Sequence, residues 1–298
     1  MKPIRSLLML ASILSVASLY AQKPILVYED SLSFASSKFP AVTVTIPEVN
    51  YERTMKNWMK EQQERTKSKV LVENSEMSIF GAQLKNIENP VNIYSKLINQ
   101  DSLLLLSVSI ELKKDQYVEK ATGDVEFTTF RTYLKEFAKT QYADFVKDEL
   151  QVEEKKLKDL ENELDGLKSD KTKMEKSIQS NRTAITEEGD NITLQNSEIT
   201  RINTEISEQN NVLNAMEAGA AREEKSSYVK DLDKRKRKML NSIESSENKI
   251  SKAKSEISDA EKAIPENEDK QQVVMEKIRQ QEAVVQKFAD KLGKVEAY

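Results

Sequence analysis

The side chains of this chain that could do chemistry are mostly charged, and their densest group is basic. Five consecutive cations run from Lys234 to Lys238, with Arg222 and Lys230 nearby. Such a group can dock on an acidic protein, on anionic lipid or on a polyanion. An ordinary solvated helix face is the alternative, because four acidic residues lie among these cations. The candidate docking patch comprises Arg222, Lys230, Lys234, Arg235, Lys236, Arg237 and Lys238.

The composition excludes several classes of catalytic site. The chain has no cysteine and no histidine, which excludes cysteine nucleophiles, histidine bases, Cys/His zinc sites and disulfides. Its six glycines are scattered singly, so no glycine-rich phosphate loop can be written. Asp and Glu pairs recur at helical spacing, but a solvated helix does not exclude water from them. We therefore expect no catalytic residue, cofactor or metal. An enzyme that uses a pocket in the globular part is the alternative.

Two long helices are expected to position the basic group, because two stretches keep an apolar heptad repeat. They run from Val146 to Met216 and from Val229 to Val295. Repeats of this length impose a coiled coil, and a short segment between them predicts an antiparallel hairpin. Arms of about 70 residues would be roughly 105 Å long. The expected seam includes Leu157, Leu164, Ile178, Ile185, Ile192, Ile199, Ile202, Ile206, Leu232, Ile243, Ile250, Ile257, Ile264, Ile278, Val285 and Leu292.

Two alignments of the arms are open. The favoured alignment sets Ile202 against Ile243, and it sets Lys236 against Gln209 near the tip. A seven-residue slip scores nearly as well on charge, but it opposes Ile202 with Lys236. Exposed ion pairs contribute little stability and serve mainly to choose the alignment. The pairs expected from the favoured alignment are Arg182 with Glu268, Lys168 with Glu282, and Glu198 with Lys249.

The middle of the seam is unusually polar, which predicts a soft region. Asn181, Glu188 and Gln195 occupy seam positions on the first arm, and Pro265 lies within the second arm. Polar seam layers specify the alignment at a cost in stability, and an internal proline kinks a helix. We expect the hairpin to bend here. A helix break at Pro265 is the alternative.

The residues before the heptads predict a small α+β head with helices on one sheet face. A short apolar run at 25–28 is followed by a serine-rich loop to Pro40, and a helix over about 49–67 carries Trp58. An aromatic stripe from Phe127 to Phe145 then covers the sheet, and its helix continues into the first arm. Strands are expected at 42–46, 70–72, 77–80, 91–98 and 103–112, the last two pairing as a hairpin.

The N-terminal residues predict export. Lys2 and Arg5 precede an apolar stretch that reaches Tyr20, as in a signal peptide cleaved after Ala21 or Ala17. An uncleaved membrane anchor is the alternative. The expected organisation is a signal peptide at 1–21, an α+β head at 22–145, a first coiled-coil arm at 146–216, a hairpin tip at 217–228 and a second arm at 229–298.

Three short segments carry a resemblance to a known group of proteins. They are Tyr20-Ala21-Gln22, Ile46-Pro47-Glu48-Val49 before the helix of Trp58, and Pro90-Val91-Asn92-Ile93-Tyr94. With its charged C-terminal coil, the chain resembles uncharacterised exported proteins of Bacteroidetes-type bacteria. The resemblance implies the periplasm or cell envelope of a Gram-negative bacterium and a head that could have the shape of the TATA-binding protein. It implies no activity and no catalytic residue.

The expected function is that of a non-enzymatic envelope protein whose hairpin is a spacer or assembly arm for a protein partner. A holdase-type periplasmic chaperone is one alternative, and an adaptor that docks on a membrane or polyanion through the basic patch is another. A homo-oligomer remains open, because Val212, Leu240 and Met275 lie just off the seam. Nucleic acid is not expected, because export would separate the protein from it and no aromatic residues interleave with the cations.

Overall fold

The computed structural model describes residues 24–84, 87, 89–101, 103–121 and 123–298. The expected signal peptide therefore lies outside the described residues. The described chain forms two compact units. The first contains the residues up to Lys156 together with Gln281–Tyr298, and the second contains Leu157–Gln280.

The first unit is built on one antiparallel sheet, and two long helices follow along the chain. Among the described residues the strand order is β1-β2-β6-β5-β4-β3, with β7 beside β6. This order of elements confirms the predicted α+β head followed by a helical hairpin. The elements are β1 Val27–Phe34, β2 Ser37–Pro47, α1 Tyr51–Gln63, β3 Leu71–Glu73, β4 Glu76–Ala82, β5 Val91–Gln100, β6 Leu103–Lys113, β7 Gln116–Tyr117, α2 Asp124–Ala215 and α3 Ala220–Glu296.

The central strands follow the alternation read from the sequence. Leu104, Leu106, Val108 and Ile110 of β6 are all buried, as expected when every second residue faces the covering helices. The predicted pairing of β5 with β6 is confirmed, and its register runs from Asn92 opposite Glu111 to Gln100 opposite Leu103.

The serine-rich segment predicted as a loop is instead strand β1, so that prediction was wrong. Its residues pair with β2 through a tight turn at Ala35, which has a φ of 51°. Periodicity does not reveal the strand, because Leu32 is the one fully buried residue in it. Cross-strand contacts hold it instead. The ring centroid of Phe34 lies 5.3 Å from that of Tyr94, and the Ala35 N–H donates to Glu76 at 3.0 Å.

Helix α1 brings Trp58 into the core. Asn50 caps the helix by accepting a hydrogen bond from the Arg53 N–H at 2.9 Å. The Trp58 indole is fully buried, packs edge-on against Phe137, and donates to the Ser95 hydroxyl at 3.0 Å. The predicted aromatic stripe of α2 also faces this core: Phe127, Phe130, Leu134 and Phe137 are buried.

Replacing Trp58 by Phe separates packing from hydrogen bonding. The variant keeps an aromatic ring but leaves a small cavity and removes the donor to Ser95. We expect Trp58→Phe to lower the free energy of unfolding by about 2 kcal/mol. Urea unfolding followed by circular dichroism measures the loss. A change below a few tenths of a kcal/mol would show that the indole is not packed in this way.

Glu111 gives the sheet an acid-sensitive contact. Its carboxylate accepts hydrogen bonds from Asn92, Tyr94 and the Asp115 N–H, and the Asn92 bond contributes most to a lowered pKa of Glu111. Burial, helped by the nearby Glu111 charge, raises the pKa of Tyr94 to about 12.

The lowered pKa of Glu111 predicts a loss of stability in acid. A carboxyl group with a depressed folded-state pKa stabilises the fold above its ordinary value of 4.5, and this contribution is lost as the pH falls through the folded value. We expect Glu111→Gln to be less stable at neutral pH and to lose less stability below pH 4.5. Urea titrations across this range measure both effects. Parallel curves for the two proteins would contradict the assignment.

The core of the first unit also contains residues from the far end of the chain. Val295 of α3 is fully buried in it, and Phe288, Leu292 and Tyr298 pack against it. These residues were predicted to belong to the second coiled-coil arm. Heptad spacing identifies their apolar face but not what covers it.

An ion pair between a buried lysine and a half-buried glutamate joins this segment to the residue after β2. Lys291 is 9% exposed, and its ammonium bonds the carboxylate of Glu48, which follows β2 with a left-handed φ of 59°. The Tyr142 hydroxyl donates to the other oxygen of Glu48 at 3.5 Å. The burial of Tyr142 raises the pKa of its hydroxyl.

Candidate functional site

The second unit consists of the parts of α2 and α3 between Leu157 and Gln280, packed against each other in antiparallel directions. Arg182 bonds Glu261 at 3.1 Å, and Gln195 donates to Ser242 at 2.9 Å. As residue numbers rise along α2, the numbers of their partners on α3 therefore fall, as in an antiparallel pair. Residues 216–219 connect the helices, and the N–H groups of Arg222 and Glu223 donate to the Gly219 carbonyl at the start of α3. The predicted tip at 217–228 was too long, because most of it is helical.

The residues of the predicted seam are all buried or half-buried. Ile199, Ile202, Leu232 and Ile243 are buried, and the other predicted seam residues are half-buried. Two of the half-buried residues, Val285 and Leu292, belong to the first unit. A narrow seam with half-buried edges is what two paired helices can provide. The apolar heptads of the second unit are therefore satisfied within a single chain.

The favoured alignment was wrong, and the contacts fit the seven-residue slip. Arg182 meets Glu261 rather than Glu268, and Glu268 instead meets Lys171 at 2.7 Å. Lys249 meets Glu188 at 2.6 Å rather than Glu198. Lys168, expected to pair with Glu282, instead forms an ion pair with Asp165. Gln209, expected opposite Lys236, instead accepts a hydrogen bond from Lys225. The alignment differs because the connection between the helices is shorter than predicted. With a shorter connection, each residue of α2 pairs with a residue of lower number on α3.

Polar seam residues tolerate this alignment because their side chains reach partners on the flanks. Gln195 bonds Ser242, and the hydrogen bond from Lys249 contributes most to a lowered pKa of Glu188. One oxygen of Gln195 and one of Glu188 are buried without a partner among the described residues, which fits a soft layer. The alternative of a helix break at Pro265 was wrong, because α3 continues through it.

The structure divides the candidate docking patch. Lys236 is half-buried and shares the heptad position of the buried Val229 and Ile243, so it lies on the seam. The other six residues are exposed. Arg222 lies in the first turn of α3, apart from the rest. The patch is therefore not one surface, and combining the basic residues with the heptad phase would have shown this from the sequence.

Four of the cations share the outward face of α3. Lys230, Lys234, Arg237 and Lys238 are spaced at i, i+4, i+7 and i+8, which places them on one face of a helix. That face points away from the seam that contains Lys236. Within the described residues, none of the four forms an ion pair. We call these four residues the basic stripe.

A surface groove of about 400 Å³ runs beside the basic stripe. Three cations line it, together with an acidic residue, an apolar residue and Tyr228. The Tyr228 hydroxyl bonds Glu205 of α2, and this bond contributes most to the raised pKa of Tyr228. Tyr228 was not among the predicted site residues. The lining residues are Tyr228, Asp231, Leu232, Lys234, Arg235 and Lys238.

The chemistry available at this site is electrostatic attraction of anions. Ammonium and guanidinium groups with no carboxylate partner bind phosphate or carboxylate oxygens. Over the part of the chain that the structure describes, no group of acidic side chains is arranged to hold a metal ion. In the same part, no helix has both the length and the apolar content to span a bilayer.

No family model matches this chain, and no curated protein matches its sequence.

Proposed function

We propose that this protein is a non-enzymatic component of the bacterial cell envelope, in which the helical hairpin is a coiled-coil spacer or assembly arm. The observation that carries the proposal is the closed seam of the second unit. Its apolar heptads are covered within one chain, so that the outer faces of both helices are polar and charged. A hairpin that needs no partner for its own stability is suited to act as a spacer.

The dimensions of the second unit support a spacer. Its share of α2 is about 60 residues, which corresponds to roughly 90 Å of helix. Ion pairs between the helices, such as Lys171 with Glu268 and Arg182 with Glu261, keep the arms aligned over this length. We propose that export through the N-terminal signal delivers the protein to the periplasm, as the resemblance implies.

The head is the proposed recognition or anchoring part. Along the chain, helix α1 lies between β2 and the four-stranded meander β3 to β6, and α2 follows the strands. This arrangement supports the proposal that the head has the shape of the TATA-binding protein, which the resemblance implies.

The holdase alternative receives less support from the surface of the second unit. A chaperone that clasps unfolded chains needs a contiguous apolar surface. The large apolar residues exposed here occur singly along the helices, and scattered residues of this kind are normal on soluble proteins. They are Leu194, Val212, Tyr228, Leu240, Val273 and Met275.

Shortening both arms in alignment tests the spacer role. Removing residues 185–198 and 240–253 deletes two heptads from each helix and preserves the observed alignment, while shortening the hairpin by about 21 Å. Photo-crosslinkers at the exposed positions Arg222 and Leu71 report partners in cells. We expect the shortened protein to lose its Arg222 partner, to keep its Leu71 partner, and to remain in the periplasmic fraction.

The control deletes residues 185–198 alone, which destroys the alignment and should reduce helicity. Unchanged crosslinks at Arg222 in the shortened protein would contradict a spacer, since reach would then be irrelevant. Recovery of the protein from the cytoplasm, with its N-terminal residues intact, would contradict the envelope location.

A further inference from the structure

We propose that the basic stripe of α3, together with the groove beside it, binds the headgroups of anionic phospholipids at a membrane surface. The stripe consists of Lys230, Lys234, Arg237 and Lys238. Over these nine residues it extends for about 12 Å along the helix. This proposal goes beyond the spacer role and does not depend on it.

The positive charge of the stripe is local. The chain as a whole has a net charge of -4, so its overall charge repels it from anionic surfaces. The acidic residues within the stretch are Asp231 and Asp233, and helical geometry places them on the two flanks of the stripe. A surface brought against the outward face therefore meets cations first.

The groove gives one phosphate a more specific place. Lys234, Arg235 and Lys238 converge on it, with a single carboxylate from Asp231. Its volume of about 400 Å³ accommodates a phosphate-bearing headgroup. Arg235 is exposed on this side, and its planar guanidinium can bind two phosphate oxygens at once.

The shape of the stripe favours a membrane over other anionic partners. The stripe lies on the outward surface of a helix and ends at Lys238, and the next positions on the same face, Asn241, Ser245 and Asn248, carry no charge. A linear polyanion gains affinity by following a long run of cations, which this face does not provide. Lipid headgroups lie in a plane and diffuse laterally, so a short outward-facing cluster can collect them.

The stripe contains no apolar side chain, so binding should be electrostatic and without insertion. Each basic residue near an anionic membrane strengthens binding by roughly five-fold. Neutralising three of them is therefore expected to weaken binding about 100-fold. Raising the salt concentration from about 0.1 M to about 1 M should abolish it, because screening shortens to a few ångströms.

Vesicle co-sedimentation of the purified full chain tests the proposal. The measured quantity is the difference between binding to vesicles containing phosphatidylglycerol and binding to pure phosphatidylcholine vesicles. The test variant is Lys234→Gln/Arg237→Gln/Lys238→Gln. The matched control is Lys254→Gln/Lys262→Gln/Lys277→Gln, which removes the same charge from exposed positions of α3 that form no ion pair among the described residues. Circular dichroism confirms that both variants retain their helices.

We expect the control to bind phosphatidylglycerol vesicles as the original chain does and the test variant to bind about 100-fold more weakly. Equal loss in both variants would show a bulk charge effect and overturn the proposal. So would the absence of any preference for phosphatidylglycerol. Binding to soluble polyphosphate, without binding to vesicles, would assign the stripe to a polyanion instead.

Discussion

A chain that ends at Lys156 is expected to lose the folded head, although it retains every strand of the sheet. The missing segment, Gln281–Tyr298, places Val295 in the core and supplies Lys291 to the half-buried carboxylate of Glu48. Losing one buried aliphatic side chain costs about 2–5 kcal/mol, and losing the ion pair adds to this cost. That loss is comparable with the whole stability of a small domain.

Joining the two pieces should restore the fold. Gln281 donates to the backbone carbonyl of Glu153 at 3.0 Å, so the ends are adjacent and a short Gly/Ser linker can replace residues 157–280. We expect the joined chain to unfold cooperatively in urea with a buried Trp58, and the chain ending at Lys156 to show neither property. Equal unfolding midpoints for the two chains would contradict the packing of the C-terminal segment.

Breaking the ion pair alone should have the second largest effect. Replacing Lys291 by Met leaves the half-buried Glu48 without this cation, while the new side chain retains most of the volume between Tyr142 and Phe288. Removing one member of a buried pair costs about 3–5 kcal/mol, and solvent access to the half-buried Glu48 lowers the cost here to about 2–3 kcal/mol. We expect Lys291→Met to lower the free energy of unfolding by this amount, as measured by urea titration.

A double-mutant cycle distinguishes pairing from general damage. Glu48→Gln removes the charge that Lys291 neutralises, so the double variant should be less destabilised than the sum of the single variants. Lys294→Met is the matched control, because Lys294 is exposed on the same turn and should change stability by less than about 0.5 kcal/mol. Additive effects, or an equal loss for Lys294→Met, would contradict an energetic coupling between Lys291 and Glu48.

The helical hairpin could be predicted from the sequence because its seam repeats over many heptads. The predicted seam residues from Leu157 to Leu292 all follow the same heptad repeat, and the few polar residues among the seam positions do not obscure it. The alignment could not be predicted in the same way. Ion pairs score almost equally in two alignments seven residues apart, and the deciding quantity is the length of the connection after Ala215. Residues 220–228 follow Gly219 and include several small residues, so the sequence did not identify them as helical.

The head shows a second limit. Strand β6 alternates clearly and was predicted, whereas β1 is held by contacts such as Phe34 with Tyr94 that link distant parts of the chain. The role of Val295 is likewise non-local, because its heptad position does not say whether a helix or a sheet covers it. Helical geometry alone would have predicted the basic stripe. It was not predicted because the residues from Lys234 to Lys238 were treated as one group.

Cysteine crosslinking tests the pairing of α2 with α3 within one chain most directly. The protein has no native cysteine, so a pair placed at Gln195 and Ser242 reports on these positions alone. Their side chains are 2.9 Å apart in the hairpin. We expect a short bis-maleimide to link them within the monomer, independently of protein concentration, and to leave a Glu198/Lys249 cysteine pair unlinked. Covalent dimers from the first pair, or efficient linkage of the second within the monomer, would contradict the hairpin as described.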